Sequence, residues 1–256
     1  MIPLDKIQSA SKPFPLAELL IPTESRILIL APHPDDFDEV AVTLRYFFNR
    51  KHPMQLLVLT GASSGVLDSF VDLPTKERKE EVRQIEQLNA LEFFGFPASN
   101  VQFLRLLEDP TGELVLDETN PSAVGTIFQD FNPDVVSLPY GKDTNLSHQR
   151  TFQLFQELAL TLPKPVLGLC HRDPKTTDIK IQAYFPFDEE TARWKAEMLR
   201  FHRSQHTRNL QTRNYGIDDR ILNTNRAIAR ELGIKEPYAE GFELVVVNGS
   251  RHSAAK

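Results

Sequence analysis

The sequence predicts an α/β protein with a Rossmann-like, doubly wound and mostly parallel sheet, followed by a C-terminal extension of helices and strand. Short apolar runs alternate along the chain with longer segments of helical periodicity, which is the pattern of βαβ units with right-handed crossovers. Several runs are continuously apolar, as expected of strands buried on both faces of a parallel sheet. There is no internal repeat and no linker rich in Gly or Ser, so we expect a single domain over residues 1–256.

The first two βα units have the strongest patterns. Residues 27–32 form an apolar run bounded by polar residues, and the segment 38–50 that follows has apolar residues at helical spacing. A second buried strand is predicted at 54–60. The helix predicted at 76–95 is clearly amphipathic, and Gly95 is suited to its C-terminal stop.

The alternation of strands and helices continues through the middle of the chain and becomes less regular in the last third. The middle strands are predicted at 101–107, 134–138 and 166–170, and the middle helices at 121–131, with a proline in its first turn, and at 148–160. The last third is predicted to contain strands at 178–185 and 242–247 and helices at 189–202 and 218–232. We treat it as an extension of the same domain.

The composition limits the classes of function. The chain is 41% hydrophobic and 25% charged, as is usual for a soluble globular protein. Its net charge of −6 argues against general affinity for nucleic acid, which requires a basic face. The single cysteine, Cys170, excludes an internal disulfide and fits a reducing compartment. The first twelve residues lack the pattern of a signal peptide, and no apolar run reaches the roughly 18 residues of a membrane span. We therefore expect a cytoplasmic location.

A group of polar residues directly follows the first predicted strand. The apolar run 27–32 ends in His33, Pro34, Asp35 and Asp36. Ligands of open α/β sheets bind just beyond the carboxyl ends of the strands. Burying several ionisable groups there costs free energy unless a metal or a partner compensates. This tetrapeptide is therefore the best candidate for a functional site.

A metal site is one interpretation of this group. His148 follows another predicted strand end, so we expect it at the same edge of the sheet as His33 and Asp36. Three protein ligands and a position open to water are typical of catalytic zinc, and Asp35 would then be placed to take a proton from the water. Two plainer interpretations stay open. The two aspartates would also suit a helix N-terminus, and a single distant histidine is commonly a surface or hydrogen-bonded residue.

Five motifs occur in order across nearly the whole chain. They are 31–36 (APHPDD), Arg83-x-x-Glu86-x-x-x-Ala90 ending at Phe94-Gly95, 133–136 (PDVV) with Pro139 and then Asp143-x-Asn145-x-x-His148, Lys195 followed by 202–205 (HRSQ), and 238–242 (YAEGF). Together they resemble the LmbE/PIG-L family of zinc-dependent de-N-acetylases, whose first motif is AHPDDE. Each motif alone is weak or moderate, and it is their shared order that indicates the family.

The resemblance implies a function and a cofactor. It assigns one zinc ion per chain to His33, Asp36 and His148, with another divalent metal as the alternative. It makes Asp35 the general base that activates water for attack on an acetamide carbonyl, so that acetate and a free amine are released. The implied substrate is a small N-acetylated sugar or glycoconjugate. Members of the family often assemble as homo-oligomers.

Three further residues are expected near the substrate. Arg83 resembles a family arginine that lies near the substrate or buttresses the site, and a buried structural salt bridge with Glu86 or another carboxylate is an equal alternative. The family often has Glu directly after HPDD, where this chain has Phe37, and Asp38 is expected to supply that carboxylate. Asp143 begins the motif that contains the third metal ligand and is expected to contact the substrate as well.

The chain departs from the family pattern at Asn145, which stands where the family has a histidine that stabilises an oxyanion or protonates the leaving amine. Asparagine donates hydrogen bonds to an oxyanion but does not transfer a proton at neutral pH, so the identity of the general acid stays open, with Asp35 as one candidate for both proton transfers. Ser147 replaces an aspartate that would orient the missing imidazole. These departures keep open a metal-binding member with a binding or scaffold role and little turnover. Hydrolysis of a phosphoester is disfavoured because the sequence shows no second carboxylate-rich ligand cluster.

Overall fold

The computed structural model describes residue 7 and residues 13–117 and 119–249. The strands of this part are β1 (Phe14–Pro15), β2 (Ile27–Ala31), β3 (Met54–Val58), β4 (Val101–Phe103), β5 (Val135–Pro139), β6 (Val166–His171), β7 (Ala183–Phe187) and β8 (Tyr238–Val247). They form one sheet in the order β1-β7-β8-β6-β5-β2-β3-β4. Pairing is parallel except at β8, which runs antiparallel to β6 and β7. The predicted α/β class with a mostly parallel sheet is confirmed. The segment inspected for a signal peptide lies outside the described residues, apart from residue 7.

Helices cover both faces of the sheet. They are α1 (Asp36–Glu39), α2 (Ala41–Asn49), α3 (Lys76–Phe94), α4 (Thr119–Phe131), α5 (Leu146–Ala159), α6 (Glu189–Leu199), α7 (Arg203–Arg213) and α8 (Ile217–Leu232). Gly95 ends α3 in a left-handed conformation (φ 87°), as its position in the sequence predicts. Across the described part of the chain, no helix is both long enough and apolar enough to span a membrane.

The central strand β2 is buried on both of its faces. Ile27, Ile29 and Ala31 pack into one core with residues of α1, α2, α3 and α6. Leu28 and Leu30 pack into the other core with residues of α4 and α5. Because both faces are covered, the strand needs apolar side chains at every position, which is why the sequence shows an uninterrupted run.

The position of β2 in the sheet creates the site. β2 pairs with β3 on one side and with β5 on the other. The chain leaves β2 toward β3, whereas it leaves β5 toward β6 on the other side, and this is the topological switch point at which doubly wound sheets bind ligands. The loops that follow β2 and β5 leave the sheet side by side at this point.

Several predicted boundaries differ from the structure. The helix predicted at 38–50 is two helices, because the backbone at Val40 leaves the helical region (φ −123°, ψ 26°). The carboxylate of Glu240 then accepts hydrogen bonds from the N–H groups of Val42 and Thr43 and so starts α2. The strand predicted at 178–185 was misplaced, and β7 instead pairs residues 183–187 with β8. β4 ends at Phe103, well before the predicted end of that strand at residue 107.

The sequence did not predict α7 as a separate helix. Its eleven residues, RSQHTRNLQTR, contain a single leucine, and that leucine is exposed. The buried side of the helix is polar instead and consists of Ser204, Gln205 and Asn209. A search for apolar residues at helical spacing therefore has nothing to detect in this segment.

Candidate metal centre and active-site cavity

Two histidines and one aspartate from distant parts of the chain meet beyond β2. Nδ1 of His33 lies 3.2 Å from Oδ2 of Asp36, and Nε2 of His148 lies 3.5 Å from Oδ1 of the same aspartate. Potential ligand atoms of the three residues all lie within 4.8 Å of one another. The three residues that the sequence predicts as metal ligands therefore lie close together in the structure.

The N-terminus of α5 orients His148. The side chain of Asn145 caps this helix, since its Oδ1 accepts a hydrogen bond from the N–H of His148 (3.1 Å). Oδ2 of Asp143 lies 3.3 Å from Nδ1 of the imidazole. A carboxylate that holds one ring nitrogen fixes the tautomer and leaves the other nitrogen free, as is usual for a metal-binding histidine.

The residues present fit a divalent metal. Nε2 of His148 is buried and has no hydrogen-bond partner within the described residues, and a buried unpaired nitrogen is costly. Burial alone would raise the pKa of Asp36, but the imidazoles of His33 and His148 hold it well below its usual range. Burial opposes a charge on His148, yet Asp36 and Asp143 raise its pKa to about 10. The surroundings therefore favour a positive charge at this point, and two imidazoles with one carboxylate form a donor set typical of zinc.

Asp35 adopts an unusual backbone conformation beside this group. Its φ of 116° is rare for a residue with a side chain. Its N–H donates to Oε1 of Gln87 (2.9 Å), and Nη2 of Arg83 lies 2.7 Å from its Oδ1. The same guanidinium nitrogen donates to the carbonyl oxygen of Pro34. Two residues of α3 therefore hold the turn in place and aim the Asp35 carboxylate into the cavity.

Of the two roles left open for Arg83, the structure shows a buried salt bridge, and the partner is Asp35. Glu86 has a different partner, because its carboxylate accepts hydrogen bonds from the N–H and the Oγ of Ser204, both 2.7 Å long. Arg83 is only 2% exposed but reaches the wall of the cavity. The hydrogen bonds between Glu86 and Ser204 therefore connect the motif that contains Arg83 with the HRSQ motif, below the site.

Asp38 and Asp143 do not line the cavity. Asp38 is fully buried, accepts a hydrogen bond from Nε2 of Gln87 (2.9 Å) and lies 3.2 Å from Nε2 of His202. Asp143 holds the His148 ring and accepts a hydrogen bond from the N–H of Asn145 (2.7 Å). Both positions are those of residues that support the site, and the expectation of substrate contact does not fit them.

The two remaining departures from the family pattern also have structural explanations. Phe37 is fully buried in the core, with its ring edge-on to those of Phe94 and Phe96. Ser147 is fully buried, and its Oγ donates to the carboxylate of Glu113 (2.6 Å). Ser147 therefore fixes the loop that forms one wall of the cavity.

The cavity above the candidate metal ligands has a volume of about 340 Å³. Asp35, Asn145 and the ligand triad lie in its wall. The amide Nδ2 of Asn145 makes no hydrogen bond with other described residues, because only Oδ1 is used for the helix cap. Asn145 therefore offers an unused amide donor in the wall of the cavity.

Two buried acidic residues of the cavity were not identified from the sequence. Glu39 and Asp173 are both buried in its wall. Burial and the nearby Asp173 carboxylate raise the pKa of Glu39 well above its usual range, and burial raises the pKa of Asp173. Asp173 lies two residues after the end of β6, so the rule that polar residues at strand ends form sites could have identified it.

The expectation of no second carboxylate-rich cluster is wrong. Asp143, His148 and Asp173 form a second group with the geometry to hold a metal, and this group shares His148 with the first. Each member already has a contact within the protein. Asp143 holds the imidazole, and Oδ1 of Asp173 accepts a hydrogen bond from the N–H of Lys175 (2.5 Å). These contacts favour a structural role for the second group.

The Lys195 and YAEGF motifs meet behind the site. Nζ of Lys195 lies 2.6 Å from Oε1 of Glu240 and donates to the carbonyl oxygen of Glu39 (2.5 Å) and to Oδ1 of Asn225 (3.0 Å). Neither charged side chain has any exposed area. The ion pair therefore ties α6 and β8 to the end of α1, which carries the metal-ligand candidate Asp36.

Comparison with protein families gives one match. The family described as PIG-L, GlcNAc-PI de-N-acetylase, matches residues 28–159, a range that contains the HPDD motif, Arg83 and His148. No curated protein sequence matches the chain significantly.

Three solved structures illustrate the likeness of fold. N,N'-diacetylchitobiose deacetylase from Pyrococcus horikoshii, complexed with its inhibitor, has 17% identity and a TM-score of 0.71, covering 86% of this chain and 84% of that one. The 4-carboxy-2-hydroxymuconate hydratase from Pseudomonas putida KT2440 has 17% identity and a TM-score of 0.66, covering 86% and 96%. The zinc-inhibited form of the teicoplanin deacetylase Orf2 has 14% identity and a TM-score of 0.62, covering 90% and 100%. At such identities the likeness shows the fold.

Proposed function

The chain belongs to the PIG-L family of GlcNAc-PI de-N-acetylases, and we propose that it is a metal-dependent hydrolase that removes an N-acetyl group from an acetamido sugar or sugar conjugate. The observation that carries this proposal is the convergence of His33, Asp36 and His148 in one cavity wall with Asp35. Two of the similar structures are, by name, an N,N'-diacetylchitobiose deacetylase and a teicoplanin deacetylase, which agrees with the proposal.

The metal that we propose is zinc. His33, Asp36 and His148 would hold it, and it would supply a Lewis acid that polarises the acetamide carbonyl and lowers the pKa of water. The unpaired Nε2 of buried His148 and the mixed nitrogen and oxygen donor set support this choice. One similar structure, a teicoplanin deacetylase, is described as zinc-inhibited, so an excess of zinc is to be avoided in assays.

The residues around the cavity supply the remaining chemistry. Asp35 takes a proton from the attacking water as the water bonds to the acetamide carbon, and it then gives that proton to the departing amine nitrogen. Arg83 and Gln87 keep this carboxylate aimed at the reacting atoms. The free Nδ2 of Asn145 donates a hydrogen bond to the oxygen on which negative charge develops. The C–N bond breaks, and the products are acetate and a free amine.

The direct test is acetate release from a panel of N-acetylated glycosides by protein loaded with one equivalent of zinc. Acetate formed together with one equivalent of free amine supports the proposal. Stoichiometric metal with no acetate from any member of the panel would overturn it. The metal-binding protein with a scaffold role would then be the better interpretation.

A hydratase is the second candidate function. The hydratase of similar fold described above matches this chain over 96% of the hydratase's own length. Addition of water to a carbon–carbon double bond also requires a base and a polarising cation, and Asp35 with the candidate metal ligands would serve. The two reactions are separable by product. Hydration consumes an unsaturated acid and releases neither acetate nor amine.

A further inference from the structure

Four cationic side chains line the same cavity as the metal-ligand candidates. They are Lys175, Arg208, Arg213 and Arg220. They come from three separate segments: the loop after β6, the helix α7 and the first turns of α8. We refer to these four residues as the cationic rim.

The arginines of the rim form no salt bridge with a described carboxylate, and Lys175 has only the longer-range attraction of Asp143 and Asp173. None of the four side chains forms a salt bridge with a carboxylate anywhere in 13–117 or 119–249, whereas other cations of the chain, such as Arg200 and Lys142, do. Arg213 donates only to the hydroxyl of Thr212 (3.0 Å). Several adjacent cations without counter-charges repel one another, and this arrangement costs free energy unless an anion offsets it.

Arg208 lies in surroundings that disfavour its charge. Burial together with the neighbouring guanidinium groups of Arg213, Arg83 and Arg220 lowers its pKa, against the opposing effect of Asp35. The Asp35 carboxylate therefore does not offset the effect of burial and of these guanidinium groups on Arg208. The cavity wall contains both the carboxylates of the metal-ligand candidates and the guanidinium groups of the rim.

The rim also joins the cavity to a second one. Lys175, Arg213 and Arg220 line both cavities together with the buried Asp173, and Tyr215 and Asn223 line the second, which we call the outer groove. A ligand with its acetamide at the metal-ligand candidates would pass the rim before it reaches this outer groove. The rim is thus placed between the reacting group and the rest of the ligand.

From this geometry we propose, resting on the proposed deacetylase function, that the substrate is an anionic sugar conjugate with a phosphate or carboxylate group bound by the cationic rim. Arginine binds both groups through paired, charge-assisted hydrogen bonds. Such an anion would neutralise the unpaired guanidinium groups at the junction of the two cavities. The outer groove would hold the group that follows the anion.

The test compares three probes that share one N-acetylglucosamine unit. They are the 2-hydroxyethyl glycoside, which is neutral, the carboxymethyl glycoside, which is of similar size and carries a carboxylate, and the 1-phosphate. At low ionic strength we expect kcat/KM to be at least about 10-fold higher for the better anionic probe than for the neutral one. This advantage should shrink as salt is added. The better of the two anionic probes identifies the kind of anion.

Variants of the rim locate the effect. Arg220→Gln and, separately, Arg213→Gln should each lower the ratio of kcat/KM for the anionic and neutral probes by about 10-fold. Neither arginine has an ion pair with a described carboxylate, so folding is not expected to depend on them. Arg230→Gln is the matched control, because it removes the same charge from the exposed far end of α8 and should leave the ratio unchanged.

The outcomes separate this inference from the proposed function. If the neutral probe is hydrolysed as well as both anionic probes, the deacetylase stands and the anion site is overturned. If no probe releases acetate, the wider panel of N-acetylated glycosides decides the deacetylase, and calorimetric titration with the same three compounds still tests the rim. Tighter binding of an anionic compound that is lost in Arg220→Gln supports the site, and equal or undetectable binding of all three compounds overturns it.

Discussion

Nη2 of Arg83 lies 2.7 Å from Oδ1 of Asp35, and the arginine is almost entirely buried while the aspartate faces the cavity. The same nitrogen also binds the carbonyl oxygen of Pro34, so the guanidinium fixes both the side chain and the backbone of the turn. The left-handed φ of Asp35 is maintained by these contacts. The base that we propose is therefore held rigidly by residues that do not themselves react.

Asp35→Asn should abolish most of the acetate release. The amide keeps the shape of the side chain but accepts no proton, and loss of a general base costs about 10²- to 10⁴-fold in rate. Metal content should stay at one per chain, because Asp35 is not among the ligand candidates. Measurement of kcat and of bound zinc on the same sample checks both parts. Asp68→Asn, on an exposed loop, is the control, and a variant at Asp35 with normal kcat would contradict the role as base.

His33→Ala should weaken metal binding, so that added metal no longer raises the stability of the folded protein. Zinc that binds only the folded protein raises its stability, by about 4 kcal/mol at a thousand times Kd. A chelator should therefore lower the Tm of the wild-type protein and leave the Tm of His33→Ala nearly unchanged. His206→Ala removes a histidine outside the ligand candidates and should respond as the wild type does. If the chelator lowers the Tm of His33→Ala as much as that of the wild type, His33 is not a ligand.

Asn145→Asp separates the helix cap from the hydrogen-bond donor. Aspartate also caps helices well, so the free energy of unfolding should change little. The variant lacks the amide donor and places a negative charge near the developing oxyanion, so kcat should fall by about 10²-fold or more. Asn145→Ser is the comparison, since serine retains a cap and a hydroxyl donor. Unchanged kcat in the aspartate variant would exclude Asn145 from oxyanion stabilisation.

The central fold and the metal-ligand candidates could be predicted because they depend on strands. An apolar run identifies a buried strand, and the carboxyl ends of neighbouring parallel strands share one edge of the sheet. This rule identifies His33 and His148 as neighbours, although the sequence does not give the distance between them in space. Asp38 could not be placed by the same rule, because residues two apart on a helix point to different sides. It therefore faces Gln87 and His202, away from the cavity.

The cationic rim could not be predicted, because its position depends on a helix without an apolar pattern. α7 is held by polar contacts such as Ser204 to Glu86 and Gln205 to the carbonyl oxygen of Gly65 (2.9 Å). Hydrogen bonds between distant side chains leave no periodic signal in one sequence. Arg208 and Arg213 are therefore unremarkable in the sequence and become a cluster only in the fold.

Lys195→Met and Glu240→Gln should each destabilise the protein strongly. Removal of one member leaves the other buried without its charge partner, which costs about 3–5 kcal/mol. The double variant should lose less than the sum of the single variants, because the pair is removed together. Arg78→Met, which breaks an exposed pair with Glu81 on α3, should cost no more than about 1 kcal/mol. Urea unfolding checks all four variants, and additive losses in the double variant would contradict direct coupling.

His52 should make the protein sensitive to mild acid. Its ring is buried, with Nδ1 3.1 Å from the carbonyl oxygen of Ser25 and with Nε2 lacking a partner in the described structure. Burial lowers the pKa of His52, although the bond to Ser25 opposes the shift. Because the unfolded chain, with a histidine pKa of about 6.5, takes up the proton first as pH falls, the stability held above that pH is lost progressively toward the lower pKa of the folded state. His52→Asn retains a donor near Ser25 but does not titrate. The free energy of unfolding should therefore fall less between pH 7 and pH 5 in this variant than in the wild type, and parallel pH profiles from urea titrations would show that His52 is not responsible.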